Sequence, residues 1–98
     1  MQTLEELRKE IDSIDETILK LLSSRFQLTR KIGELKSLGE WPVQDLEREE
    51  QLFDRLNHLA SELNVPSHLV LLIYRNIIDT VLHEHRQSRA ERTSPGFE

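Results

Sequence analysis

From Leu4 to Leu35 apolar residues return every three or four positions, and no glycine or proline interrupts them until Gly33. The members are Leu4, Leu7, Ile11, Ile14, Ile18, Leu21, Leu28, Ile32 and Leu35, with Arg25 standing where one more is due. That alternation is one face of one continuous helix. At about 1.5 Å per residue a helix from Thr3 to Leu38 is roughly 50 Å long, whereas a compact domain of this size has a radius of gyration near 13 Å. The chain has only 98 residues, so the segments that remain can cover just part of the stripe. The rest is expected to pack on a second copy, giving an all-α, intertwined homodimer of six helices with a coiled-coil-like seam. A plain coiled-coil dimer with accessory helices is the simpler arrangement that periodicity alone leaves open.

The few breakers place the other elements. Gly39 is the stop signal of the first helix, Gly39 to Gln44 reads as a loop, and Asp45 is placed to cap a second helix with Glu47 and Glu49 in its first turn. That helix carries Leu46, Phe53, Leu56, Ala60 and Leu63 on one stripe. The run Asn64-Val65-Pro66-Ser67 breaks it, and Pro66 or Ser67 opens a third helix with Leu69, Ile73 and Ile77 on a stripe that continues into Thr80 and Glu84. From Arg86 onward the composition is polar. Residues 1–86 are therefore expected to form the helical domain and residues 87–98 a frayed, disordered or linker tail.

Composition narrows the function classes. A net charge of −5 argues against a general nucleic-acid binder or an anionic-membrane binder, both of which need a basic surface. The longest apolar run, Leu69 to Ile73, falls far short of the roughly 20 residues of a membrane span. The first eight residues carry two glutamates and no apolar core of a signal peptide, so a cytoplasmic location is expected. Absence of cysteine removes disulfide and thiolate chemistry. His83 and His85 point to different helix faces, and neither His58 nor His68 has a histidine at i+4, so no metal site and no cofactor are expected.

The informative residues are charges on apolar stripes. Arg25 lies between Leu21 and Leu28, Glu49 between Leu46 and Phe53, and Thr80 and Glu84 follow Ile77. An unpaired buried charge costs several kcal/mol, so these groups must meet one another, water or a charged ligand. One outcome is a buried ion pair, such as Arg25 with Glu49 or Glu84, that fixes helix register. The other is a ligand pocket inside the bundle. Lys36 lies eleven residues beyond Arg25, about 16 Å along the axis, a gap two long side chains can nearly close. Arg8 is seventeen residues on the other side, roughly 25 Å away, and reaches the same ligand only from a second copy.

Four stretches carry a resemblance. Leu7-Arg8-Lys9-Glu10-Ile11-Asp12, Leu22-Ser23-Ser24-Arg25, Ile32-Gly33-Glu34-Leu35-Lys36 and Pro42 to Glu49 resemble, in order and spacing, the motifs of the all-helical chorismate mutases. The resemblance runs from about Leu4 to Arg86 without a gap. It implies an intertwined helical dimer that rearranges the dianion chorismate to prephenate, as a free enzyme or as a domain fused to prephenate dehydrogenase or dehydratase. By position, it implies that Arg8 of a second copy and Lys36 hold the side-chain carboxylate and that Arg25 holds the ring carboxylate. Glu49 and Asp45 would bind the ring hydroxyl, with Arg48 in a water-mediated supporting role. Thr80 corresponds to a small hydroxyl residue near the ring carboxylate, and Glu84 to a Gln or Glu facing the ether oxygen. A shift of one residue would put Val81 and His85 there instead.

The catalytic groups implied are thus Lys36, Glu84 and Arg25, acting by orientation and electrostatics without nucleophile or metal. Glu84 must be protonated to donate a hydrogen bond, which implies activity that declines toward alkaline pH. Isochorismate-pyruvate lyase, a mutase of an amino analogue of chorismate, and a non-catalytic helical dimerisation module remain as alternatives. Arg25→Ala separates the two readings of the inward charge. Loss of chorismate turnover with helical content and dimer mass retained, by circular dichroism and light scattering, is the expected result, and an unfolded variant would support the register-fixing ion pair.

Overall fold

The computed structural model describes residues 1–39, 42 and 44–93. Three helices follow one another: α1 (Leu4–Leu38), α2 (Leu46–Glu62) and α3 (Ser67–Thr93). Among the described residues there is no strand, and no helix is long and apolar enough to cross a membrane. Glu40, Trp41 and Val43 of the expected loop, and residues 94–98 of the expected tail, lie outside the described residues.

Local chemistry explains each end. The Thr3 side chain accepts a hydrogen bond from the Glu6 backbone N–H at 3.1 Å, and Glu5 and Glu6 in the first turn with Lys36 in the last complement the helix dipole. Asp45 caps α2 as its sequence position predicts, accepting from the Arg48 N–H at 3.0 Å. At the far end of α2, Asn64 takes the left-handed conformation with φ 58°. The Val65 N–H then reaches back to the Ala60 carbonyl at 2.9 Å and the Asn64 N–H to Ser61 at 3.3 Å. This pair of bonds satisfies two of the last carbonyls of α2, and Pro66 cannot continue the helix.

α3 packs against both other helices and forms the hinge of the fold. The small core consists of Leu52 and Leu56 from α2 with Ile78 and Leu82 from α3, flanked by Phe53, Val70 and Tyr74. Leu56 and Ala60 are buried as the α2 stripe predicts, but the ends of the stripes are not. Leu46 and Leu63 are 70% and 69% exposed, and Leu69 and Ile73 keep nearly half their surface. The buried face of α3 keeps Ile77 from the expected stripe but is turned toward Val70, Tyr74, Ile78, Leu82 and His85. Periodicity does not choose between two adjacent apolar rows on the same helix. Packing does.

A glycine on α1 allows the close approach that fixes this rotation. The imidazole of His85 lies against Gly33, where a β-carbon would stand 2.6 Å from Cδ2, and Nε2 donates to the Thr29 carbonyl at 2.7 Å. Farther along, Arg89 donates to the Lys36 carbonyl at 3.1 Å, in the last turn of α1. α3 accordingly continues to Thr93. Residues 87–93, expected in the frayed tail, are helical.

The α1 stripe is uncovered. Its leucines and isoleucines, from Leu4 to Leu35, retain between 42% and 67% of their surface. The molecule measures 66 × 32 × 17 Å with a radius of gyration of 18.0 Å, well above the roughly 13 Å of a compact domain of this length.

Gly33→Ala tests the contact between α1 and α3. Helix propensity alone favours alanine by about 1 kcal/mol, but displacing a packed ring costs about 1–3 kcal/mol. A net loss of stability is expected, read as a fall of several degrees in Tm, and a higher Tm would contradict the placement of His85.

Candidate active site

A cleft of about 330 Å³ opens where the three helices meet, within the usual size range of small-ligand sites. α1 contributes Arg25 and Lys36, the start of α2 contributes Asp45, Arg48 and Glu49, and α3 contributes Val81 and His85. Leu28, Ile32, Leu52, Ile78 and Leu82 form the apolar part of the wall. Five of the residues singled out in the sequence therefore converge on one cleft, although they come from three segments of the chain.

Each has a physical reason for its position. The Arg25 guanidinium lies 5.6 Å from the centroid of the Tyr74 ring, a cation–π contact that holds a half-buried cation without neutralising it. Glu49 sits one turn into α2, with its side chain only 15% exposed. Its Oε1 accepts from Arg75 Nη2 at 2.9 Å and its Oε2 from Gln44 Nε2 at 2.9 Å. The Arg75 hydrogen bond holds the Glu49 carboxyl below the usual carboxylate range, outweighing burial, and Gln44 works in the same direction while Asp45 opposes it.

A carboxylate held down in this way stabilises the fold above its ordinary range, and that contribution is lost as pH falls and the group takes a proton. Glu49 is thus an acceptor through neutral and mildly acidic pH. The register-fixing ion pair weighed as the alternative, Arg25 with Glu49 or Glu84, does not form; Glu49 pairs with Arg75, and Glu84 with Arg30.

Thr80 and Glu84 are not in the cleft. The Thr80 hydroxyl is exposed and donates to the Asn76 carbonyl of its own helix at 2.8 Å. Glu84 receives both Nε and Nη2 of Arg30 at 3.2 Å on the opposite flank of α3. The rotation of α3 that buries His85 carries these two residues away and brings Val81 and His85 to the wall. Valine offers no hydroxyl. His85 is 8% exposed, and with Nε2 committed to Thr29 its buried Nδ1 has no hydrogen-bond partner. Arg8 is exposed on α1 and outside the cleft, about 25 Å along the axis from Arg25.

Sequence reasoning missed Arg75 and Gln44, the two partners of Glu49. Gln44 lies in the connection before α2. The only sequence signal for Arg75 is its place beside Tyr74 on the buried flank of α3.

The arrangement suits an anion that also carries a hydrogen-bond donor. Arg25, Lys36 and Arg48 supply positive charge, and Asp45 and Glu49 supply acceptors. Among the described residues no serine lines the cleft, the chain has no cysteine, and the Thr29 hydroxyl is committed to the Phe26 carbonyl at 3.1 Å.

Residues 7–86 match the family described as chorismate mutase type II. The chain is 39% identical over 98 residues to the bifunctional chorismate mutase/prephenate dehydratase of Aquifex aeolicus, a match covering 97% of this chain and 27% of that protein. It is 37% identical over 79 residues to the chorismate mutase of Methanocaldococcus jannaschii, covering 81% of this chain and 80% of that protein. Against the bifunctional chorismate mutase/prephenate dehydratase of Escherichia coli K12 it is 36% identical over 77 residues, 78% of this chain and 20% of that protein. The chain thus spans about a quarter or less of the two bifunctional relatives and most of the archaeal one.

Proposed function

Because the chain belongs to the type II chorismate mutase family, we propose that it converts chorismate to prephenate by a [3,3] rearrangement. The ether carbon–oxygen bond breaks as a carbon–carbon bond forms within the same molecule, so atoms and electrons balance without a nucleophile, metal or cofactor. The observation that carries the reading is the convergence of Arg25, Lys36 and Glu49 on one cleft of about 330 Å³. Two cations on separate carboxylates restrict a flexible dianion to its folded reactive conformer before the barrier is reached. Lys36 then favours the negative charge that grows on the ether oxygen.

In this reading Arg25 holds the ring carboxylate, and Lys36 holds the side-chain carboxylate together with Arg8 from a second copy. Glu49 and Asp45 accept the ring hydroxyl, and Arg48 supports them through water. The functional unit is the intertwined six-helix homodimer, whose seam covers the α1 stripe and completes the site with Arg8. The catalytic domain is residues 1–86, and the enzyme works in the cytoplasm, with neither nucleic acid nor membrane as a partner.

The third-helix role passes from Glu84 to His85. With Nε2–H bonded to the Thr29 carbonyl, a neutral imidazole presents only a lone pair at Nδ1. The imidazolium donates from both nitrogens and serves the ether oxygen. Arg25, Lys36, Arg48, Asp45 and Glu49 share the cleft with this ring, while Arg30, Glu34 and Glu84 line its other flank.

Loss of chorismate's ultraviolet absorbance on addition of the purified protein tests the activity, and no turnover across pH 5–8 would refute it. Activity is expected to fall toward alkaline pH. His85→Gln, which donates at any pH, flattens that profile; His85→Ala lowers kcat by roughly 10²-fold, the scale of a lost oxyanion donor. Glu84→Gln leaves the profile unchanged. An alkaline decline that persists in His85→Gln and vanishes in Glu84→Gln would return the role to Glu84.

A further inference from the structure

Behind the cleft, Arg75 lies across two residues of α2 that stand four apart and so share a face, Glu49 and Phe53. Its Nη2 donates to Glu49 Oε1 at 2.9 Å, and its guanidinium stands 4.8 Å from the centroid of the Phe53 ring. Nη1 lies 3.9 Å from Asp79 Oδ1 on its own helix. Arg75 is not part of the cleft wall. It therefore reaches a ligand only through Glu49.

We propose that Arg75 is the positioning residue of this site: from α3 it holds the Glu49 carboxylate charged and in one orientation, so that the cleft accepts a ligand carrying a hydroxyl donor. The inference rests on the proposed function for the identity of the ligand, and on geometry for the rest. An ionised carboxylate offers about four acceptor positions and no donor. Arg75 and Gln44 occupy one on each oxygen, leaving others for a ring hydroxyl. A protonated Glu49 would be free to donate, and a rotating one would meet the hydroxyl only part of the time. The ring of Phe53 restrains the plane of the guanidinium, a restraint that an ammonium group cannot use in the same way.

The charged groups around Glu49 are few. Asp45 and Arg48 flank it on α2, Arg75 and Asp79 face it from α3, and Arg25 and Lys36 share the cleft from α1. Asp45 opposes ionisation. Arg75 is in direct contact with it.

Two measurements on the full chain test the role. The first follows the Glu49 side-chain carboxyl by carbon NMR during acid titration, and needs no substrate. The second is the pH profile of kcat/KM on chorismate. In Arg75→Gln the Glu49 titration is expected to move up by roughly one pH unit or more, the scale of a carboxylate losing its arginine partner. The acid limb of kcat/KM should move with it. Because the hydroxyl contact exists in both ground and transition states, KM should rise more than kcat falls, and the loss in kcat/KM against wild type should deepen as pH falls through the carboxylate range. Arg75→Lys restores part of both shifts.

An unmoved Glu49 titration with an unmoved acid limb in folded Arg75→Gln overturns the proposal. So does a uniform loss of kcat at every pH with the titration unmoved, the signature of a merely structural residue. Should Arg75→Gln fail to fold, Arg75→Lys against wild type decides, an identical titration again being the overturning result. A wild-type protein that does not turn over chorismate while Glu49 still shifts in Arg75→Gln would refute the substrate and leave the positioning role standing.

Discussion

Along one face of α1 a row of leucine and isoleucine side chains keeps about half its surface in contact with water, and the rest of the structure is arranged around that unmet demand. Burying the remaining half of each such side chain is worth about 1 kcal/mol. A single copy cannot do it. α3 covers one part of α1, α2 packs on α3, and the two short helices leave the seam open. The proposed second copy supplies the missing surface. It also supplies the only route by which Arg8, some 25 Å from Arg25 along the same helix, can enter a site built on the other charges. In the proposed dimer, stability and the proposed catalysis depend on the same association.

Within the chain the decisive contact is smaller. Gly33 has no side chain, so the His85 ring settles against α1 and bonds the Thr29 carbonyl. That contact sets the rotation of α3, and the rotation decides which of its residues reach the cleft. Val81 and His85 face it, whereas Thr80 bonds within its own helix and Glu84 pairs with Arg30 outside. A turn of one residue exchanges a carboxyl for an imidazole. On α2 the cap by Asp45 and the hold of Arg75 on Glu49 fix the acceptor side of the site in the same way.

The parts of this arrangement legible in the sequence are those governed by short-range rules. The length of α1, the stop at Gly39, the Asp45 cap and the break at Asn64 to Ser67 follow from periodicity, capping and backbone conformation. Arg25, Lys36, Asp45, Arg48 and Glu49 stood out through their positions and through family motifs, and all five line the cleft. The third helix was harder because Leu69 and Ile73 compete with Val70 and Tyr74 for the inward face, while Ile77 and Ile78 are both buried. Only the long-range contact at Gly33 separates them. Arg75 was invisible for a related reason: its partner lies 26 residues away, and no local pattern marks an arginine that serves a carboxylate on another helix. The helical run through residues 87–93 carries Arg89 to the end of α1, again a long-range contact.

Subunit complementation tests most directly whether two copies build each site. Arg8→Ala and Arg25→Ala are purified separately, each expected to be nearly inactive, then denatured together in equal amounts and refolded. If Arg8 acts across the seam, half of the dimers are mixed and each mixed dimer has one intact site, so activity returns to about a quarter of the refolded wild-type level, as closed two-fold pairing requires. If Arg8 served the site of its own chain, no combination would restore both arginines to one cleft, and a co-refolded mixture that stays inactive while wild-type protein recovers would contradict the account.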